Sequence, residues 1–190
     1  VLSAIFTQLH DIWEIKETNS EYMLGISRKL TMKSDRVHTI ECTMTPFIQG
    51  AVKAFSEHII PADLKVPFPE NAKISKLDQP DDTEVKDVLA LGYQRAVGII
   101  LWATRHCYPE CKYGISKLCS VMARPSYTAF KAAMHMISYL GQNQLRGIQF
   151  NADGNKLPIV CSDASNKADL ATGCCQGGFT ITWYGGPLAF

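Results

Sequence analysis

Apolar positions change their spacing several times along the chain, and each change marks a predicted element. Val1, Leu2, Ile5, Phe6 and Leu9 recur at helical intervals and predict the tail of a helix. Ile12, Trp13 and Ile15, the polar turn Thr18-Asn19-Ser20 and the run from Tyr22 to Ile26, broken by Gly25, predict two strands, 12–16 and 22–31. Thr45-Pro46 is a helix-start signal, with Thr as N-cap and Pro at the first helical position. Phe47, Ala51, Ala54, Phe55 and Ile59 then share one face. From 84 to 104 the chain reads as one strongly apolar helix carrying Val88, Leu89, Tyr93, Ala96, Val97, Ile100 and Leu101. Pro109 opens the next helix, to about Ala123. Pro125 opens a third, with Tyr127, Phe130, Met134 and Ile137 spaced by three and four and Gly141 as its C′ residue. These three helices predict a small bundle.

After the third helix the period shortens. Leu145 to Phe150 alternates as a strand, Asn151 to Asn155 is a turn around Asp-Gly, and Leu157 to Cys161 is a second strand. Gly177 to Trp183 predicts a further strand, followed by the turn Tyr184-Gly185-Gly186. Strands, helix, loop, three helices and strands in that order predict an α+β fold, not a Rossmann-type alternation.

Between the first helix and the bundle, Asp and Pro dominate. Pro61, Pro67, Pro69 and Pro80 fall there, and acids outnumber lysines from 61 to 87. A linker or extended surface loop, net negative, is expected over 61–83.

Composition narrows the function classes. With 190 residues, 46% of them hydrophobic, and a net charge of +1, the chain is neither intrinsically disordered nor a purely electrostatic nucleic-acid binder. The longest apolar run, Ala96 to Ala103, is far short of the ~20 residues that span a bilayer, so no membrane partner is expected. The N-terminus lacks a basic stretch before its apolar residues, so no secretory signal is read. Val1 in place of Met, and an apolar end at Phe190, lead us to expect a piece of a longer polypeptide. Seven cysteines, including the adjacent Cys174-Cys175, are an odd number and fit reduced thiols in a cytoplasmic or nuclear compartment better than a disulfide scaffold. Cys107, Cys111 and Cys119, with His106 beside them, do not follow a common zinc spacing; the cysteines read as small core residues, Cys111 and Cys119 sharing a helical face with Ile115, Leu118 and Met122.

Charge is unevenly spread. Between residues 93 and 135, Arg95, Arg105, Lys112, Lys117, Arg124 and Lys131 face Glu110 alone, a local +5. This is either a phosphate-tracking face or the solvated side of ordinary amphipathic helices. Phosphate-loop, dinucleotide, nucleophile-elbow and zinc-helix signatures are absent from the sequence. The one informative local constellation is Ile159 to Ser165. There an apolar strand delivers Asp163 at its end among small residues, as a metal-binding carboxylate requires. Asp after a strand is also a common turn former. Two-metal phosphoryl chemistry needs several carboxylates; Asp169 is the only other acid nearby, and no Asp or Glu follows it.

Taken in order, the motifs resemble a family. Trp13-Glu14-Ile15-Lys16 with Tyr22 to Ile26, Thr45-Pro46, Tyr93 to Gly98, Leu101 to Arg105 with Pro109-Glu110, the helix Ala129 to Leu140, Ser162-Asp163-Ala164 and the glycine-rich stretch Gly173 to Pro187 are similar to copia-type retrotransposon polyproteins. The stretch matched runs from late in the reverse transcriptase into the start of ribonuclease H. The resemblance implies a parent that copies RNA into DNA and cuts the RNA of the RNA–DNA hybrid with Mg²⁺. It implies that residues 1–60 are the rear of the polymerase and thumb-like region, and 84–142 a helical connection. Residues 143–190 would be the first antiparallel strands of an incomplete ribonuclease H-like domain. Asp163 is then a catalytic metal ligand, and Arg95, Arg105, Lys112, Lys117, Arg124 and Lys131 face the nucleic acid, with the remainder of the polyprotein as a partner. Two departures stand out. The chain has no Tyr-x-Asp-Asp, Asp81-Asp82 lying instead in a proline-rich loop, and Ala103-Thr104-Arg105 is separated from Pro109 by His106-Cys107-Tyr108. With one carboxylate carried over, the chain alone is expected to be inactive. The rival expectation is a degenerate or reused nucleic-acid-binding or scaffold module without catalysis. A third is a piece that does not fold stably, its last strands leaving edges and an apolar face exposed.

Overall fold

A computed structural model of the chain describes residues 21–165, 173 and 176–190. The readings made on residues 1–10 and 12–16, on Asp169 and on Cys174-Cys175 lie outside the described residues. Those described form five α-helices and two antiparallel sheets, an α+β architecture. No described helix is long and apolar enough to cross a membrane.

The first sheet contains β1 (Tyr22–Met23), β2 (Ile26–Lys33), β3 (Arg36–Thr43) and β4 (Gly147–Asn151), in that spatial order. Where one strand was expected over 22–31 there is a hairpin. Leu24 (φ 55°) and Gly25 (φ 85°) are both left-handed, as a two-residue type I′ turn demands, and they set Met23 opposite Ile26. Ser34 (φ 51°) and Asp35 (φ 61°) make a second such turn between β2 and β3. β4 pairs with β3 in the register Ile40 to Phe150 and Cys42 to Ile148, so residues 147–151 belong to the sheet begun by residues 22–43.

The helices form the core. α1 (Thr45–Ala54) starts one residue after Met44, which takes the cap position without a side-chain bond. Thr45 is therefore not the expected N-cap; its Oγ1 instead donates to the Gln144 carbonyl at 2.8 Å, tying α1 to the segment before β4. The helix expected over 84–104 is two, α2 (Asp82–Ala90) and α3 (Tyr93–His106). The break is at Gly92, whose φ of +87° is left-handed and cannot continue a right-handed helix. Asp81 caps α2 by accepting from the Glu84 N–H at 2.8 Å. Pro109 opens only a 3₁₀ turn, Pro109–Cys111, before α4 (Lys112–Ser120). α5 (Tyr127–Gln142) is capped by Ser126, and Gly141 lies inside it, not beyond it. A side chain at 141 would place its Cβ 2.7 Å from Val52 Cγ2, so this glycine serves the close approach of α1 and α5.

Ile48, Val88, Val97, Ile100, Leu118, Met136, Ile137 and Leu140 are essentially inaccessible to solvent and form one cluster. Each such side chain contributes about 1.5–3 kcal/mol of transfer free energy. Cys107 and Cys111 belong to the same cluster, as small core residues. The segment between Ile59 and Asp81 has no helix or strand but is pinned along α5. Ser138 Oγ accepts from the Ile60 N–H, and Gln142 both accepts from the Leu64 N–H and donates to the Ala62 carbonyl. Leu64, Phe68, Ala72 and Ile74 pack on the core, as an extended surface loop and not a free tether.

The second sheet is the meander β5 (Ile159–Ser165), β6 (Gln176–Trp183) and β7 (Gly186–Ala189). Tyr184 (φ 51°) and Gly185 (φ 80°) turn β6 into β7. The two sheets meet there: the Asn151 N–H donates to Tyr184 O at 2.8 Å, and Tyr184 N–H to Asn155 O at 3.0 Å. A Cβ at Gly186 would lie 2.5 Å from the Gln149 carbonyl, so only glycine allows β7 this close to β4.

Candidate nucleic-acid interface

β5 continues through Ser162-Asp163-Ala164. Asp163 is therefore inside a strand, opposite Gly178 in the register, and not in the turn after one. Its side chain is exposed, and Oδ1 accepts from the Ala164 N–H at 2.8 Å. Lys112, the first residue of α4, reaches the same place from the helical side. Its Nζ donates to the Phe190 carbonyl at 2.9 Å and stands 5.5 Å from the centre of the Phe190 ring. Lys112 and Asp163 both line a cavity of about 470 Å³ between the start of α4 and β5–β6, with Phe179, Phe190 and the glycines 177 and 178 in its walls.

These residues do not make a divalent-cation site by themselves. Among the described residues no three His, Cys, Asp or Glu side chains are grouped to hold a metal. Among the described residues Asp163 is the one carboxylate side chain on its cavity, and an ammonium shares the lining. The His106 and cysteine set fares no better. Burial pushes the Cys107 thiol up to about 12 and raises those of Cys111 and Cys119, and among the described residues these side chains are not part of a group of three that could hold a metal. His106 packs edge-on to Trp102, ring centres 4.2 Å apart; burial, and then Arg105, lower its pKa.

The six cations expected to face nucleic acid are spread over several elements and do not share one stripe. Arg124 pairs with Asp82 at 2.9 Å and donates to the Pro80 carbonyl, holding α2 against the start of α5. Arg95 lies 5.9 Å from the Phe55 ring centre, and Lys117 5.8 Å from that of Tyr113. Arg105 and Lys131 are exposed and form no ion pair among the described residues. Only Lys112 shares a cavity with Asp163. A denser cationic patch lies elsewhere, on the β2–β3 ribbon: Arg28, Lys29, Lys33 and Arg36 are all exposed, with Asp35 and Glu41 as the acids. It was visible in the sequence as Arg28-Lys29 followed by Lys33 and Arg36. A two-stranded hairpin projects such side chains on both faces, so it has no single polar stripe for periodicity to find.

A cavity of about 680 Å³ lies between α5, the Pro109 turn, β4 and the start of β7. Glu41, Glu110 and Arg146 give its wall both signs of charge, and burial followed by Glu110 raises the Tyr139 pKa. That mixture does not suit a phosphate backbone. Comparison with family models, curated proteins and solved structures returned no match to this chain.

Proposed function

We propose that the chain is a nucleic-acid-binding piece of a copia-type reverse transcriptase–ribonuclease H polyprotein, binding without turnover on its own. The observation that supports this reading most is the placement of Asp163. It stands exposed in the first strand of an antiparallel three-stranded meander, on a cavity that a lysine of the helical segment also lines. The ordered motif series supports it too, the strands from 159 onward being the incomplete ribonuclease H-like unit. Mg²⁺ belongs to this reading as the ion of the intact parent, with Asp163 as one of several ligands; one carboxylate leaves the chain inactive.

The test is binding of a 16-base-pair RNA–DNA hybrid to the purified chain across salt, with RNA cleavage followed in Mg²⁺. Expected are a steep fall of affinity with salt, shallower after Lys29 and Lys33 are both changed to Ala, and no cleavage. Salt-insensitive binding, or none, would overturn the binding reading. Mg²⁺-dependent cleavage abolished by Asp163→Asn would overturn the inactivity.

A further inference from the structure

The β2–β3 ribbon has two dissimilar faces and an open edge. Strand alternation puts Leu30 and Met32 on one face, opposite Ile40 and Val37 of β3. Phe150, opposite Ile40 on β4, continues that face. Leu30 is 54% exposed, Met32 56% and Val37 42%, so no described element covers this end of it. Lys29 and Lys33 alternate with these residues onto the other face, and Arg36 stands opposite Lys33. Lys29, Lys33 and Arg36 form no ion pair among the described residues, and the acid on their face is Glu41, opposite Lys29. The outer edge of β2 is paired only at its start. β1 reaches Ile26 and Ser27, and the Arg28 N–H donates to Glu21 O. Arg28 therefore turns its backbone groups outward, and at every second residue so do Leu30 and Met32. Their N–H and C=O groups meet no strand among the described residues.

An unpaired edge is a template for an added strand, and the side chains along it select which strand is added. A second copy of β2 does not fit, because symmetric antiparallel pairing about Thr31 sets Lys29 against Lys33 twice, and like charges directly opposite are destabilising. A phosphate backbone would engage the lysines but leave Leu30, Met32 and the outward backbone groups unmet. A strand with acids at the two ends and apolar residues between them meets all three features. We propose that the open edge of β2 takes up, by strand addition, an extended segment of a partner protein with the pattern acid–apolar–x–apolar–acid. Its acids stand against Lys29 and Lys33 on one face, and the middle residue stands against Thr31. Its apolar side chains lengthen the rows Leu30-Ile40-Phe150 and Met32-Val37 on the other face. Charge complementarity picks the partner, and the ladder groups of Leu30 and Met32 hold it extended.

The inference does not rest on the nucleic-acid reading, and the experiment separates the two. The full chain is titrated with the fluorescently labelled peptide Glu-Val-Thr-Val-Glu, blocked at both ends, and in parallel with the 16-base-pair RNA–DNA hybrid. One control peptide, Lys-Val-Thr-Val-Lys, reverses the charges. A second is the acidic peptide N-methylated at both valines, which removes the amide hydrogens that meet the outward carbonyls of β2. We expect the acidic peptide to bind about tenfold tighter than the basic one, the scale of two opposite-charge cross-strand pairs replaced by like-charge pairs. N-methylation abolishes binding. Lys29→Glu with Lys33→Glu reverses the charge preference, and Leu30→Ser with Met32→Ser weakens the acidic peptide by at least about fivefold. All four side chains are exposed, and unchanged circular dichroism establishes that each variant is folded. Equal binding of the two charge patterns, binding that survives N-methylation, or no peptide binding overturns the inference. Hybrid binding without peptide binding would overturn it while leaving the proposed function standing; the reverse pattern would overturn the hybrid interface alone.

Discussion

Gly92 and Gly98 sit six residues apart, and alanine at each should move stability in opposite directions. Gly92 joins α2 to α3 with φ +87° and is held from both sides: its N–H donates to Leu89 O and its carbonyl accepts from the Ala96 N–H, each at 3.0 Å. A Cβ there would meet Phe55 Cε1 at 3.6 Å, ordinary contact, so the penalty is conformational and not steric. Left-handed backbone costs an L-residue about 1–2 kcal/mol. The smaller entropy of the unfolded alanine chain returns about 0.4–1 kcal/mol, leaving Gly92→Ala destabilising by about 1 kcal/mol. Gly98 is inside α3, exposed, with nothing within 4 Å of its Cβ position. There alanine gains helix propensity, about 0.5–1 kcal/mol. For a domain of this size 1 kcal/mol corresponds to about 2–4 °C in Tm, so the two variants should differ by about 3–8 °C. Thermal and urea unfolding followed at 222 nm give both signs directly. A single unbroken helix over 84–104 would make both substitutions stabilising. A Gly92→Ala variant as stable as Gly98→Ala would therefore refute the break and the packing of α2 built on it.

Three further outcomes are expected. The Tyr93 hydroxyl is buried and donates to the Leu118 carbonyl at 2.8 Å, joining α3 to α4. Tyr93→Phe should lower stability by about 0.5–1.5 kcal/mol, with a urea midpoint unchanged from wild type arguing against that bond. Arg124→Ala should lower stability by under about 1 kcal/mol and leave hybrid affinity unchanged, because its guanidinium already serves Asp82 and Pro80; lost affinity at constant stability would return it to the interface. Burial, then Arg105, holds the His106 pKa below its ordinary 6.5. The folded state thus binds fewer protons than the unfolded one just below that value. This contribution to stability is complete above pH 6.5 and is lost as pH falls below it. Tm measured from pH 8 to 5 should fall more steeply for wild type than for His106→Gln, and equal slopes would disprove the linkage.

Features with a short-range cause were legible in the sequence. The helical spacing over Tyr127 to Leu140 is carried by one face, whereas the Asp81 and Ser126 caps fall outside the starts expected at 84 and Pro125. Gly25 falls within the strand expected over 22–31 and divides it into a hairpin, whereas Gly185 announced its turn. Ser34-Asp35 did not, because neither is glycine, and both adopt positive φ only under the demand of a two-residue connection between paired strands. Gly92 was misread for the opposite reason. A glycine inside an apolar helical pattern costs only ~1 kcal/mol, so the pattern gives no sign that this one is left-handed while Gly98 is not. The pairing of β3 with β4 joins Cys42 to Ile148 across more than a hundred residues, and nothing local in either strand encodes it.

The candidate site repeats this division. Asp163 was legible as a carboxylate on an apolar strand, but its position in mid-strand depends on pairing with β6, which carries Gly178 to face it. The six helical cations were legible as charge, not as a surface. Lys112 and Lys117 are five residues apart, hence about 140° apart around α4, and a run that is basic along the sequence is divided around the helix. What then decides each cation's role is a partner far away in the chain. Asp82, forty-two residues from Arg124, occupies that guanidinium, whereas Phe190, seventy-eight residues from Lys112, draws that ammonium toward the strands that hold Asp163. Charge counting weighs the two residues alike. Their contacts make one a strut between helices and put the other on the cavity wall, which is why affinity and stability should respond oppositely to their loss.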